Sequence, residues 1–408
     1  MLEPRILKLL TFLTRRQAWL SPPEIAKSFR SVEEPISERT LFRWFGTLEE
    51  ELGLAYFPYP RMNGLGLADV HVTMRGLRDP AVLATVPWAN SFWVQVGLDG
   101  QPFLSQDYWI PGPSLKAFRE YWSTALDLRL VKEANLHPVR NPNFVFSPFD
   151  EVITGDGFVD IADEADNDYF ASLLRSHLAE RYDVRVGERI AASPLVVPLV
   201  LEHLWRHCSS REVWDAIRLK GESQILKHVP AHDAKALRTK GAGMRILQNQ
   251  WADLLRHFND VFVQPVVFWP PGTLRNVCIL SFIARAESDE RIADLAMRVS
   301  RHSVVTAVMP AAGRSGECRV WSNTPSDQLP TVLRLAGEYH RGSKPPLVGV
   351  MDLHATRRAT HPAFCGFDWQ SFDVEASAWR FDGEGYVERL KEIKPSPASR
   401  LAGPRPTY

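Results

Sequence analysis

The chain has 408 residues, of which 45% are hydrophobic and 24% charged, which is enough to build several domain cores. Lys plus Arg and Asp plus Glu both number 48, which counts against a nucleic-acid binder that relies on charge alone but not against one with local contacts. There is no run of 18 apolar residues and no signal-peptide layout, so we expect a cytoplasmic protein without a membrane partner. Four widely spaced cysteines fit neither a disulfide framework nor a zinc site, and we expect no metal and no cofactor.

Residues 1–62 carry the pattern of a winged helix-turn-helix. Apolar residues recur at helical spacing over Pro4–Gln17 and Pro22–Phe29, and a third helix is predicted within Ile36–Leu54. Three helices in about 50 residues, followed by the extended segment Ala55–Arg61 as a wing, are typical of this motif.

The third helix has two unlike faces. Ser37 is a suitable N-cap, and Leu41, Phe45, Leu48 and Leu52 fall on one side of the helix. We predict that DNA is contacted by the side chains Ser37, Arg39, Thr40 and Arg43, with Arg61 and the wing on phosphates. The alternative is an ordinary amphipathic surface helix, which the periodicity alone favours equally.

Residues 63–150 predict a ferredoxin-like domain. The segments are Leu67–Arg75, Asp79–Ala89, Phe92–Leu98, Pro102–Ile110, Pro113–Leu126 and Leu128–Glu133, in the order β-α-β-β-α-β, with Asp99-Gly100 as a hairpin turn. This order indicates an α+β fold in which helices cover one face of an antiparallel sheet.

The second half repeats the first. Residues 151–272 predict a linker and a second winged helix-like domain with a wing at Val261–Trp269, and residues 273–375 predict a second ferredoxin-like domain. Residues 376–408 form a C-terminal extension that we expect to be partly disordered. The basic segment 220–243 is either a DNA-contacting insertion or a solvated connector. A period of about 200 residues indicates a domain duplication.

Two segments carry a family resemblance. Ile36-Ser37-Glu38-Arg39-Thr40-Leu41 with Leu48–Leu54, and Asn63-Gly64-Leu65-Gly66-Leu67, resemble the recognition helix and the effector-domain entry of Lrp/AsnC transcription regulators. The resemblance implies a DNA-binding regulator that is not an enzyme. It implies double-stranded DNA as partner and a pseudo-dimer within one chain, with further homodimerisation possible.

The resemblance also implies an effector site. In the resembled family, small molecules such as amino acids bind where paired sheets meet, near the turn between the second and third strands. We therefore predict that Asp99 and Arg314, in the two corresponding turns, bind the amine and carboxylate of one amino-acid-like ligand. The alternative is that both segments are ordinary tight turns.

Two other functions stay open. Siroheme decarboxylases share this architecture, but their His-Asn-Tyr motif is absent, and the corresponding region reads Trp88-Ala89-Asn90-Ser91-Phe92-Trp93. His137, His354 and His361 follow the fourth strands and are better explained as structural, as are Trp93, Trp109 and Trp122 by core packing. The other possibility is a protein-interaction scaffold whose winged helices do not bind DNA.

Overall fold

The computed structural model describes most of the chain. The described residues are 3–16, 19–29, 36–52, 54–161, 169–179, 182–191, 193–206, 213–215, 217–218, 229, 231–269, 273–342, 346–352, 367 and 369–393. His354 and His361 lie outside them, as do residues 220–228 and 230 of the basic segment 220–243.

The N-terminal head consists of three helices and a strand, as the periodicity predicts. Their bounds are α1 Pro4–Thr14, α2 Pro22–Phe29, α3 Glu38–Leu52 and β1 Ala55–Pro60. Leu9, Leu10 and Leu13 of α1 and Ile25 and Phe29 of α2 are almost completely buried, so the predicted apolar faces form the core of the head.

The first ferredoxin-like unit follows directly. Its elements are β2 Leu67–Arg75, α4 Ala81–Thr85, β3 Ala89–Gly97, β4 Pro102–Pro111, α5 Leu115–Asp127 and β5 Glu133–Val139. The strand order β5-β2-β4-β3 is that of the predicted fold. The fourth strand lies later than the predicted Leu128–Glu133, because α5 continues to Asp127 and Arg129 turns the chain with a positive φ of 55°.

The connection and the second head contain mainly helices. Their bounds are β6 Asn143–Phe146, α6 Phe149–Val152, α7 Tyr169–Ala179, α8 Glu188–Ala191, α9 Val196–Arg206, α10 Ala231–Leu237, α11 Lys240–Arg256, α12 Phe258–Val261 and β7 Phe262–Phe268. The helix α11 corresponds to α3, since each precedes the strand that leads into a ferredoxin-like unit.

The second ferredoxin-like unit repeats the element order of the first. It consists of β8 Val277–Arg285, α13 Asp289–Arg301, β9 Val305–Pro310, β10 Glu317–Pro325, α14 Leu329–Glu338 and β11 Val348–Met351, with strand order β11-β8-β10-β9. Local chemistry fixes α13: the Ser288 hydroxyl caps it, Asp289 and Glu290 occupy the first turn, and Arg298 and Arg301 the last. The predicted α+β duplication is confirmed.

The two units share one nine-stranded sheet that curls on itself. Strand β11 pairs with β3, while β6 pairs with β9, so each unit's edge strand is covered by the other half. A further bridge between Val139 and Ala311 brings the two ends of this sheet together. The inner faces of the two units consequently face each other. Asp107 of β4 and Arg319 of β10 are in direct contact between them.

The expected wings pair with each other. β1 and β7 form an antiparallel ribbon in which Tyr56 faces Val267 and Pro58 faces Pro265. The two segments predicted as wings, Ala55–Arg61 and Val261–Trp269, are therefore extended strands, and they form one ribbon together. The physical reason is that each strand would otherwise expose unpaired backbone groups, which its counterpart in the other half satisfies.

The heads pack crosswise on the two units. One buried cluster joins Leu10 and Leu41 of the first head to Phe282 and Val320 of the second unit. A second cluster joins Trp122 of the first unit to the second head, including Leu199 and Leu254, and to the C-terminal segment. Each half therefore completes the core of the other.

The C-terminal extension contributes an ordered helix. A short 3₁₀ turn Trp369–Ser371, strands β12 Phe372–Asp373 and β13 Ala378–Trp379 and helix α15 Gly383–Glu392 close over the first unit. The Trp88 Nε1 group donates to the Tyr386 hydroxyl at 3.0 Å, and Trp379 Nε1 donates to the carbonyl of Leu65 at 2.7 Å. Residues 394–408 lie outside the described part of the chain. Within the described part, no helix has the length and apolar character needed to cross a bilayer.

Candidate functional site

The outer face of α3 is solvent-exposed. The Ser37 hydroxyl accepts the Thr40 backbone N–H at 3.1 Å and so begins the helix. Leu41, Trp44 and Leu48 are buried beneath it. Arg39, Phe42 and Arg43 remain exposed on the opposite side. Two of the predicted DNA-contacting residues, Arg39 and Arg43, are therefore available to a partner.

The other three predicted DNA contacts have roles within the fold. Ser37 and Thr40 bond to each other through their hydroxyls at 3.0 Å, as part of the helix cap. The Nε of Arg61 donates to the carbonyls of Asn259 and Phe262 at 2.9 and 3.1 Å. Arg61 therefore ties the first half to the second, and its contact with DNA phosphates stays a prediction.

The helix α11 carries a second exposed polar face. Leu247 and Leu254 are buried, whereas Arg245, Gln248 and Asn249 are exposed. This spacing of three and four residues places the three side chains on one side of the helix. The sequence analysis located this helix but assigned no function to its outer side chains.

A large cavity opens beside the β3–β4 turn, where the two units meet. Its volume is about 930 Å³, and its lining includes Asp99, Arg75, Lys132, His137 and Arg285. Asp99 forms an ion pair with Arg75 at 2.9 Å, and the hydrogen bond from the Gln101 backbone N–H is the main cause that lowers the pKa of Asp99.

Arg314 does not line this cavity. Its Nη1 lies 3.6 Å from Glu317, whose carboxylate also accepts from Arg285 and lies 3.6 Å from His137. The structure therefore does not bring Asp99 and Arg314 into one site, because each is paired with a side chain of its own unit. Burial lowers the pKa of His137, although Glu317 opposes that shift.

A buried polar cluster lies between the facing halves of the nine-stranded sheet. Asp107 accepts from His71 Nδ1 at 2.7 Å, from Arg319 Nη1 at 2.5 Å and from the Ser91 hydroxyl at 2.6 Å. The register of the strands explains the first contact, since His71 of β2 pairs directly with Asp107 of β4. Arg319 reaches the cluster from β10 of the second unit, with a side-chain exposure of 4%.

Burial decides the charge states in this cluster. It lowers the pKa of His71 to about 4, assisted by the Arg319 guanidinium, so this imidazole is neutral and donates through Nδ1. Burial raises the pKa of Asp107, but Arg319 and His71 outweigh it and hold that pKa well below its usual range. Burial, with the nearby Asp107 carboxylate, raises the pKa of Asp69 well above its usual range.

The cluster forms one wall of a second cavity, which we name the aromatic pocket. Its volume is about 380 Å³. Its lining consists of the aromatic residues Phe57, Tyr59, Trp93, Trp109, Phe144, Phe268, Trp269 and Trp321, the polar residues Asp69, Asn90, Ser91, Asp107, Arg319 and Asn323, and Pro142, Val266, Val267, Val305, Ala307 and Met309. The expectation that core packing explains Trp93 and Trp109 is therefore incomplete, since both line a cavity. Trp122 is a core residue, as predicted.

The residues of this pocket were missed by the sequence analysis. Asp69, His71, Asp107 and Arg319 lie on three strands and become neighbours only because β2 pairs with β4 and the two halves of the curled sheet face each other. Among the described residues, no group of three His, Cys, Asp or Glu side chains is placed to hold a metal ion.

Comparisons with known proteins give a fold-level likeness. No family model matches the chain, and no curated protein matches its sequence. A crystal structure of the siroheme decarboxylase NirDL matches with a TM-score of 0.40 and 10% identity, covering 95% of this chain and 97% of that chain. NirDL in co-complex with an iron-uroporphyrin III analogue matches with a TM-score of 0.39 and 10% identity, covering 84% and 90%.

These matches correct one expectation. The sequence analysis predicted that the protein is not an enzyme, whereas both solved structures that it resembles are structures of an enzyme. The prediction of a non-enzyme is therefore withdrawn. Both halves of the chain combine a helical head with a ferredoxin-like unit, an architecture that does not by itself make the protein a DNA-binding regulator.

Proposed function

We propose that this protein binds double-stranded DNA as a transcription regulator, with α3 and α11 as its two recognition helices. The main observation in support of this proposal is the antiparallel ribbon of β1 and β7. Equivalent strands that pair antiparallel are related by a local two-fold axis, and each leads back to one head. Two heads related in this way suit two half-sites of a pseudo-palindromic duplex.

The exposed side chains on the two helices suit base recognition. Arg39 and Arg43 on α3 match the guanine edge, whereas Gln248 and Asn249 on α11 match the adenine edge. Because the heads differ in sequence, the two half-sites should differ as well. Exposure of Arg39 and Arg43 also favours DNA over a scaffold function, which would bury that face against another domain.

The balanced charge of the chain limits how DNA would be bound. With 48 basic and 48 acidic residues, the protein has little general attraction to the phosphate backbone. Most of the affinity should therefore depend on the sequence of the site. DNA binding of this kind is compatible with a chemical activity elsewhere in the same chain.

The test is selection from a random duplex library, followed by fluorescence anisotropy on the enriched site. Replacing Arg39 or Arg43 by Ala should cost about 1–3 kcal/mol on that site if the side chain contacts a base. The affinity of Arg245→Ala for the same site tests whether the second head contacts the DNA. Arg119→Ala on the exposed face of α5 is the matched control and should leave affinity unchanged.

Two outcomes would overturn the proposal. One is a library without any enriched sequence. The other is an enriched sequence whose affinity is the same for the wild type, Arg43→Ala and Arg245→Ala, because neither head would then contact the DNA.

A small-molecule effector is a second part of the proposal. We place it in the 930 Å³ cavity, where Asp99 would meet the amine of an amino-acid-like ligand. Arg314 takes no part in this version, since it does not line the cavity. Calorimetric titration with an amino-acid panel tests this placement, and Asp99→Ala should abolish any heat of binding. Binding that Asp99→Ala leaves intact would reject it.

A further inference from the structure

We propose that the aromatic pocket binds a small organic cation, an ammonium group that carries alkyl or arylalkyl substituents, and that Asp69 is its counter-ion. This site lies apart from the DNA-facing helices and from the effector cavity at the β3–β4 turn. Its existence does not depend on DNA binding.

The walls of the pocket suit a positive charge. The walls include the aromatic rings of Trp93 on β3, Trp321 on β10 and Tyr59 on β1, together with Trp269 directly after β7. The negative face of an indole attracts a cation, and such attraction is strongest where water is excluded. Walls made from both halves of the chain would surround one ammonium group from several sides.

One carboxyl group in the pocket has no salt bridge among the described residues. Asp107 is paired with Arg319, and this pair leaves no net charge. Asp69 is 7% exposed and lines the same pocket, and its Oδ1 accepts no hydrogen bond from the described part of the chain. An isolated carboxylate costs free energy to bury. A cation bound beside Asp69 would therefore make its ionised form favourable.

A second acceptor points to the same ligand chemistry. The Oδ1 of Asn323, a residue with 5% exposure, also lines the pocket and has no hydrogen-bond partner within the described residues. Two buried acceptors without donors call for a ligand that brings donors, and an ammonium N–H or the hydroxyl of an amino alcohol provides them.

The protonation of Asp69 would then change on binding. The charged or titratable groups around it are Asp107, Arg319, Tyr59 and Tyr182, and the Trp109 indole favours its ionised form. Burial outweighs the effect of Trp109 and raises the pKa of Asp69. A bound cation would replace the proton, so binding should release up to about one proton per ligand.

The size of the pocket sets a limit on the ligand. A cavity of about 380 Å³ is at the small end of ligand sites in proteins. It has room for a single amine of the size of choline or tryptamine and not for a macrocycle.

The experiment is isothermal titration of the wild-type protein with choline and with tryptamine. Their neutral counterparts, 3,3-dimethylbutan-1-ol and 3-ethylindole, are the matched controls. We expect at least one amine to bind on the order of 10-fold more tightly than its neutral counterpart. Repeating the titration in buffers of different ionisation enthalpy measures the released proton.

Variants locate the site. Asp69→Asn, which is neutral and of equal size, should abolish both the preference for the amine and the proton release, and Trp321→Ala should weaken binding. Asp156→Asn, at an exposed position, is the matched control. Equal binding of amine and neutral counterpart, no binding of either amine, or an amine preference that survives Asp69→Asn would each overturn the proposal. The neutral-counterpart comparison uses wild-type protein and so holds even where a variant fails to fold.

Discussion

Asp107 and Arg319 join the two halves of the chain by a buried ion pair, with Oδ1 and Nη1 2.5 Å apart and side-chain exposures of 12% and 4%. The two residues are 212 positions apart and belong to different ferredoxin-like units. Ser91 and His71 complete the hydrogen bonds of the carboxylate, and Ser281 accepts from Arg319 Nε at 3.2 Å.

The first prediction concerns the stability of this pair. Arg319→Met leaves the Asp107 carboxylate buried without its cation, and we expect a loss of about 3–5 kcal/mol in the free energy of unfolding. Adding Asp107→Leu to that variant should recover part of the loss. Urea denaturation measures both. The exposed pair Arg334 and Glu338 is the control, where Arg334→Met should cost less than about 0.5 kcal/mol. Equal losses at the two pairs would contradict the prediction.

The second prediction concerns pH. The pKa of His71 is about 4 in the folded protein against an unfolded reference of 6.5. The unfolded chain therefore binds more protons between these values, so the contribution of His71 to stability is present above about pH 6.5 and is lost as the pH falls towards 4, on the order of 3 kcal/mol in total.

His71→Gln keeps an N–H donor and removes the titration. The difference in stability between wild type and this variant should therefore change over that pH window, as measured by urea midpoints at each pH. The raised pKa of Asp69 acts in the opposite sense, but it is common to both proteins and largely cancels in the difference. His257→Gln, at an exposed position, serves as control. A pH-independent difference would refute the assignment.

The third prediction compares two glycines of the β9–β10 turn. Gly313 and Gly316 both have positive φ, of 80° and 72°. A Cβ at Gly313 would meet nothing within 4 Å, whereas one at Gly316 would press against the carbonyl of Ala286. Gly313→Ala should therefore cost about 1–2 kcal/mol from backbone strain alone, and Gly316→Ala clearly more. Thermal unfolding ranks the two variants. The reverse order would argue against the turn as described.

The fourth prediction concerns the docking of the C-terminal helix. Tyr386→Phe leaves the buried Trp88 indole N–H without its acceptor, and we expect a loss of about 1–3 kcal/mol. Lys391→Gln, on the same helix but at an exposed position, should change stability by less than about 0.5 kcal/mol. Urea denaturation decides between them. A Tyr386→Phe variant as stable as the wild type would show that the helix is not held by this contact.

Local patterns predicted the repeated elements, because helical periodicity and strand alternation are properties of short segments. Leu41 and Leu48 on α3 and the Asp99-Gly100 hairpin followed directly from such patterns. The pocket could not be predicted in this way, since Asp107 and Arg319 are far apart in the sequence and meet only because the shared sheet curls on itself. One signal was present: Asp69, His71 and Thr73 alternate with apolar residues on β2, which indicates a polar inner face.

The crosswise packing of the heads has a consequence for biosynthesis. Residues Ile6 to Leu54 leave the ribosome long before Phe282, Val320 and Val348, which belong to the core that covers them. The apolar surface of the N-terminal head is therefore fully covered only after Val348 has been synthesised. Contacts of such long sequence separation fold slowly and leave intermediates open to aggregation. A chaperone that shields the apolar surface of the newly synthesised head would thus raise the yield of native protein more than it would for a chain with locally packed domains.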